Sequence, residues 1–227
     1  MKGDILVETK PGRKYLVCFD LDGTLLDSLL GIAQASNRAL EKLGFPAKPV
    51  EKYRSYVGYG PDYLSASSLP EVHTRQDQDN WGRYYQKYYA ESNAACTVPY
   101  PGVPQMLERI KESGVWLAVL TNKFHNLAVE QVARYFPGMF DHVMGYVKGV
   151  PVKPNPYVLE ILMNECGVAP EQTVYVGDLE VDIETALACG ARPVGVLWGF
   201  GGTGLRSGLK EVDLVETPEE LVDLLLG

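Results

Sequence analysis

Tyr15-Leu-Val-Cys-Phe19, followed directly by Asp20-Leu-Asp22-Gly23-Thr24, is the stretch on which the reading of this chain turns. Its first five residues form an unbroken apolar run rich in β-formers, which predicts a strand covered on both faces, as in a parallel sheet. Residues two apart in a strand point to the same side, so Asp20 and Asp22 reach one space beyond the strand's end. In open parallel sheets that carboxyl edge is where ligands bind. Two carboxylates there repel each other unless a cation or a shared proton intervenes. The plainer reading is an acidic turn that caps the next helix, since Asp-Gly is common turn chemistry.

Working outward, the same apolar signal returns at residues 115–120 before Thr121-Asn-Lys, and at 173–176 before Gly177-Asp178. A weaker one covers 193–197 before Trp198-Gly-Phe-Gly. Helical patterns at 102–113, 126–135, 157–166 and 183–189 separate these strands, bounded by Gly114, Pro137, Gly167 and Gly190. Thr217-Pro-Glu-Glu is an N-cap with proline at the first helical position, opening a last helix through Leu226. Alternation of strand and helix predicts an α/β fold, a doubly wound, Rossmann-like parallel sheet with right-handed crossovers.

One interval breaks the rhythm. Between the first two strands lie about 95 residues with no strand of like quality, and a segment that long is rarely a bare loop. Patterns at 29–43, 61–68 and 77–92 read as helices, the last carrying Trp81, Tyr84, Tyr85, Tyr88 and Tyr89 as a packing stripe. The expectation is a small helical domain over residues 26–95, inserted into a core of residues 1–25 and 96–227. Its hinges fall near Leu25-Leu26 and residues 97–101.

Composition bounds the partners. The chain has 227 residues, a net charge of −8 and a pI near 5.0, so its surface repels nucleic-acid backbones and anionic lipid. A small anionic substrate remains compatible, because a metal and a few lysines reverse the field locally. The four cysteines are far apart without CxxC pairing, and Cys18 and Cys189 read as buried thiols, which favours a reducing compartment. Neither a signal peptide in MKGDILVETKPGRK nor an apolar run near the roughly 20 residues of a membrane span is visible. The expectation is a soluble cytoplasmic protein, with monomer and homodimer both open.

Further chemistry-bearing residues stand at the other strand ends. Thr121 follows the second strand, Lys153 lies in Val-Lys-Pro-Asn-Pro, and Asp182 comes four residues after Asp178. Singly, each has an ordinary reading as a solvated lysine or a helix cap. Together they gather acids, a hydroxyl and a lysine at one sheet edge. Asp20-Leu-Asp-Gly-Thr-Leu-Leu-Asp27-Ser28, Thr121-Asn-Lys, Lys153-Pro-Asn-Pro and Gly177-Asp178-x-x-x-Asp182 resemble, in order, the four motifs of the haloacid dehalogenase superfamily. The likeness runs from about residue 15 to 200, and the helical insertion is similar to that family's cap domain.

The resemblance implies a role for each residue. Asp20 would attack phosphorus and form an aspartyl-phosphate. Asp22 would protonate the leaving alkoxide and then deprotonate the hydrolytic water. Thr121 and the Asn122 backbone amide would bind phosphate oxygens, and Lys153 would neutralise charge between nucleophile and phosphate. Asp20, the Asp22 carbonyl and Asp178 would hold Mg²⁺, with Asp182 supporting them from behind. Physical chemistry favours the set independently: a carboxylate approaching a phosphate dianion requires its repulsion cancelled, and Mg²⁺ takes carboxylate oxygens. Because the family's dehalogenases lack the acid–base residue, Asp22 argues against carbon–halogen cleavage.

Within the family, Trp198-Gly-Phe-Gly resembles a loop of the phosphoglycolate phosphatase branch, which implies a phosphatase acting on a small phosphorylated metabolite. Asn155 and Leu179-Glu180 depart from that branch's usual residues. Val57-Gly-Tyr-Gly60 resembles a loop that caps lower over the site, which would bring Arg54 to the substrate; an ordinary helix-connecting turn is the alternative. A phosphomutase resembling β-phosphoglucomutase and a non-catalytic binding protein on the same fold are the rival functions.

Overall fold

The apolar run that opens the argument is strand β1 (Leu16–Phe19), all four residues of which are buried. In the computed structural model, which describes residues 13–202, 204–205 and 212–227, the chain continues into β2 (Leu26–Asp27) and helices α1 (Leu29–Lys42), α2 (Val50–Tyr53), α3 (Pro61–Ser68) and α4 (Arg75–Cys96). After β3 (Val98–Pro99) come α5 (Val103–Glu112), β4 (Trp116–Phe124), α6 (His125–Tyr135), β5 (His142–Tyr146) and α7 (Tyr157–Cys166). The last elements are β6 (Thr173–Gly177), α8 (Glu180–Ala188), β7 (Arg192–Val196), β8 (Asp213–Val215) and a C-terminal helix α9 (Pro218–Leu226). Residues 1–12, which include most of the opening read as free of a signal peptide, and Thr203 of the Gly-rich loop lie outside the described residues.

Six strands form one parallel sheet in the order β5-β4-β1-β6-β7-β8. The chain moves from β1 toward β5 on one side, then crosses back to place β6 against the other side of β1. That reversal makes the gap between the carboxyl ends of β1 and β6 the topological switch point, where ligands bind in such sheets. Alternation along β1 explains why both faces are covered. Val17 and Phe19 pack with Val103, Leu107 and Leu221 from α5 and α9. Leu16 and Cys18 face the opposite way, against Leu159, Leu162 and Ala186 from α7 and α8. Burying each such aliphatic side chain contributes about 1.5–3 kcal/mol, which is why the unbroken apolar run sits at the centre of the sheet.

The helices between β2 and β3 gather a separate apolar cluster around Ile32, Leu40, Tyr53, Trp81, Tyr85 and Tyr89, joined by Leu127 of α6 and Phe200. The tyrosine stripe is thus largely packing: Trp81 stacks on Tyr85 at 4.8 Å between ring centroids. Helix α4 starts two residues ahead of the sequence expectation because Thr74 and Asp77 form a capping box; Thr74 Oγ1 accepts from Asp77 N, and Asp77 Oδ2 accepts from Thr74 N. Both connections between this insertion and the sheet run side by side as an antiparallel ribbon, with Leu26 opposite Pro99 and Asp27 opposite Val98. All four cysteines are free; Cys18 is buried as expected, whereas Cys189 is only half-buried. Among the described residues no helix is long and apolar enough to cross a membrane.

Candidate active site

Asp20 continues the hydrogen bonding of the sheet one residue past β1, its amide donating to Val176 O at 2.9 Å. The chain then turns sharply, Leu25 and Leu26 amides returning to Leu21 O and Gly23 N donating to Leu26 O. Gly23 has φ +91°, and a Cβ there would stand 2.5 Å from Asp178 Oδ2. Only glycine meets both demands, so the Asp-Gly pair is a close approach of backbone to a buried acid and not a solvent turn.

Asp178 follows β6 and is fully buried. Its Oδ2 accepts from Phe200 N at 2.7 Å and Gly201 N at 3.4 Å, and its Oδ1 accepts from Thr24 Oγ1 at 3.0 Å. The Gly-rich loop after β7 is therefore a backbone cradle for Asp178. A side chain at Gly199 would collide with Gly23 O and with Asp178. Asp182 lies in the first turn of α8, where its Oδ2 accepts from Leu179 N at 3.0 Å and so starts the helix three residues ahead of the sequence expectation. Its other oxygen accepts from Lys153 Nζ at 2.6 Å.

Asp20, Asp178 and Asp182 each offer a carboxylate oxygen within 4.8 Å of the others, all three residues being buried. Lys153 Nζ lies 2.9 Å from Asp20 Oδ1, an ion-pair distance off hydrogen-bond geometry, so that oxygen carries no hydrogen bond. Burial pushes the Asp20 carboxyl up, Lys153 pulls it down, Asp182 raises it again, and the balance is about 6. Burial, then Asp182 and Asp20, push Asp178 well above the usual carboxylate range, against the bonds from Phe200 and Thr24. For Lys153, burial alone would weaken the ammonium, but Asp182 and Asp20 hold its pKa above the ordinary value. Three clustered acids, two of them bridged by one lysine, with a buried carboxylate oxygen left unbonded, fit a hard divalent cation with oxygen ligands.

The Asp22 carboxylate is not part of that cluster. It accepts from Lys123 Nζ at 3.0 and 2.9 Å and from Ser28 Oγ at 2.6 Å. This leaves only its backbone carbonyl for the ligand role inferred from the sequence. Thr121 and Asn122 lie in the outer part of β4 and line the same pocket as Asp20 and Asp22. The Asn122 side chain ties two segments to β4: Nδ2 donates to Gly58 O and Lys153 O, and Oδ1 accepts from Lys153 N. The pocket encloses about 470 Å³ of empty space, its open mouth included. Ile32, Val57, Leu64 and Tyr85 wall it on the side of the inserted helices.

Arg54 does not line this pocket. Its guanidinium donates to Phe200 O at 3.0 Å and Gly199 O at 3.5 Å, in a groove on the other side of the 57–60 loop. Lys123 is the residue that sequence reasoning passed over. The signal was present: Thr121 and Lys123 are two apart, the same spacing that paired Asp20 with Asp22, but the strand was expected to end at residue 120.

The profile of the haloacid dehalogenase-like hydrolases matches residues 17–196. The chain belongs to that family. It is 35% identical over 196 residues to the phosphoglycolate phosphatase of Vibrio parahaemolyticus, covering 82% of this chain and 84% of that one. The phosphoglycolate phosphatase of Aquifex aeolicus is 31% identical over 211 residues, 92% of this chain and 96% of the relative. A crystal structure of a predicted phosphoglycolate phosphatase from Haemophilus somnus superposes with a TM-score of 0.83 at 27% identity, covering 92% and 96%. This haloacid dehalogenase-like chain is a phosphoric monoester hydrolase, and its acidic cluster suits the divalent metal such phosphatases use.

Proposed function

We propose that this phosphatase hydrolyses a small organophosphate monoester of the phosphoglycolate kind, with Mg²⁺ and through an aspartyl-phosphate on Asp20. The observation that carries the reading is a pair of carboxylates lining one pocket with different partners. Asp20 presents an oxygen without a hydrogen bond beside Lys153, and Asp22 is held apart by Lys123 and Ser28. That division supports two different tasks, nucleophile and acid–base group.

In this reading an Asp20 oxygen attacks phosphorus, the ester P–O bond breaks, and the Asp22 proton goes to the departing alkoxide. A water oxygen then attacks the same phosphorus, its proton passes to Asp22, and the bond to Asp20 breaks to release inorganic phosphate. Lys153 offsets the repulsion between nucleophile and dianion, while the Thr121 hydroxyl and the Asn122 amide bind phosphate oxygens. Asp20, Asp178 and the Asp22 carbonyl would hold the Mg²⁺, which when bound neutralises negative charge on the phosphoryl group. Asp182 serves them from behind, its oxygens engaged by Lys153 and the Leu179 amide. Residues 26–95 act as a cap over the core of 1–25 and 96–227, closing to exclude water and reopening for release.

The relatives' shared name supports a phosphoglycolate-like substrate. The test is phosphate release from a panel of phosphomonoesters that includes phosphoglycolate, with Mg²⁺ and with EDTA. Metal-dependent release that favours phosphoglycolate is expected. An isomerised sugar phosphate in place of inorganic phosphate would point to a mutase, and silence across the panel to a binding protein.

A further inference from the structure

Strand β4 does not stop at Thr121 but runs to Phe124, and its extension brings Lys123 into the pocket wall. The side chain is buried, so its ammonium has little water to fall back on and depends on the groups around it. Two directions are taken by Asp22, at 3.0 Å to Oδ1 and 2.9 Å to Oδ2. A third is covered by the ring of Tyr89, whose centroid lies 4.0 Å from Nζ, within the range of a cation–π contact. Tyr89 is itself fixed, accepting from Gln131 Nε2 at 2.6 Å and standing 3.4 Å from the Thr97 hydroxyl. Although burial alone would weaken this ammonium, Asp22, then Tyr89 and Tyr85, hold its pKa above the ordinary lysine value. The chain of contacts runs from the core sheet through Lys123 to α4, and none of it involves Asp20, Asp178, Asp182 or Lys153.

We propose that Lys123 is the positioning residue for Asp22, gripping both carboxylate oxygens so that the group is aimed at the ester oxygen, and tying that aim to helix α4 through Tyr89. The inference rests on Asp22 being the acid–base group. Ser28 alone holds one Asp22 oxygen from the β2–α1 junction and leaves the carboxyl plane free to turn about that single bond. Two-point attachment to an ammonium removes this freedom. A positioned acid is worth about 10²–10⁴ in rate, and a displacement near 1 Å costs about 10², so the lysine's effect is large without its touching substrate.

The loss has a signature. A misaimed acid slows departure of a basic alkoxide but hardly affects p-nitrophenolate, which leaves without a proton. The experiment compares wild type, Lys123→Met and Asp22→Ala in the full chain with Mg²⁺, measuring the pre-steady-state burst on p-nitrophenyl phosphate and single-turnover cleavage of ethyl phosphate. Lys123→Met is expected to lose about 100-fold on ethyl phosphate and less than about 10-fold in the p-nitrophenolate burst, with KM little changed, and Asp22→Ala to show the same bias more strongly. Should Lys123→Met not fold, Lys123→Gln, which keeps N–H donors but loses the charge and reach of the ammonium, carries the same comparison. Equal losses on the two esters in the Lys123 variant, with the bias intact in Asp22→Ala, would overturn the positioning role alone. Equal losses in Asp22→Ala would overturn the acid–base reading of Asp22 and the role of Lys123 with it.

Discussion

Lys153 Nζ donates to Asp182 Oδ1 at 2.6 Å with both side chains buried, so the acid expected to act only from behind is the nearest partner of the lysine. Its distance to Asp20 is 2.9 Å. The lysine therefore sits between Asp20 and an acid that opens a helix. Removing one partner of a buried ion pair costs about 3–5 kcal/mol, because the other charge is left uncompensated. Lys153→Met is expected to abolish turnover and to lower folding stability by about 3 kcal/mol at pH 7, with a smaller loss at pH 5, where the stranded carboxylates take protons. Urea unfolding at the two pH values checks this.

Asp20 sets a pH dependence whose sign is opposite to that of an ordinary paired carboxylate. Its pKa rises from 3.8 to about 6 on folding, chiefly through burial. Between those values the folded metal-free protein binds the extra proton, so its stability falls as pH rises through the window. Mg²⁺ and the proton compete for the same oxygens. The metal is therefore expected to raise the melting temperature more at pH 7 than at pH 5, read by thermal unfolding with and without Mg²⁺. An equal shift at both values would place the metal elsewhere.

Asp178→Asn separates stability from function. The buried carboxylate is opposed by Asp182 and Asp20, while its hydrogen bonds come from neutral donors, Phe200 N and the Thr24 hydroxyl. An amide keeps the Phe200 bond, and the Thr24 hydroxyl turns to accept from it. The metal-free variant is expected to melt a few degrees above wild type, on the order of 1 kcal/mol, yet lose activity and its response to Mg²⁺. Calorimetry with and without Mg²⁺ tests both halves.

Asp20→Asn is expected to retain the fold and reduce phosphate release by at least about 10³-fold, since the amide has no nucleophilic oxygen to form the intermediate. Acid-quenched wild type should carry phosphate on Asp20, and the variant none. Full activity in the variant would remove Asp20 from the mechanism.

Arg54 holds the carbonyls of the loop that cradles Asp178. Arg54→Ala is expected to lower kcat/KM by less than about 10-fold and by one common factor across substrates, the loss of roughly one exposed hydrogen-bonding group. A loss that depends on the ester would instead show that Arg54 reaches substrate when the pocket closes.

Much of the architecture was readable before any coordinates. Apolar runs mark β1, β4, β6 and β7, because strands buried on both faces must be apolar throughout. Helices α3 and α7 fall where periodicity placed them. Strands β5 and β8 escaped notice: both are sheet edges, half-buried, and their short sequences HVMGY and DLV carry little of that signal. The two-residue strands β2 and β3 are too short for any pattern to register.

The site divides in the same way. That Asp20 and Asp178 stand just past the ends of β1 and β6 follows from sequence, since the C-terminal edge of a buried strand fixes where an adjoining residue lies. Who partners whom does not follow. Lys123 meets Asp22 across 101 residues, Lys153 meets Asp182 across 29, and Arg54 reaches Phe200 across 146. Those meetings depend on strand order, on β4 running past Thr121, and on a loop turning its carbonyls toward Arg54. Local propensity decides which residues stand at a strand's end; only the packed chain decides which charges are left to face one another there, because in a buried site each ion depends on its nearest partner for want of water.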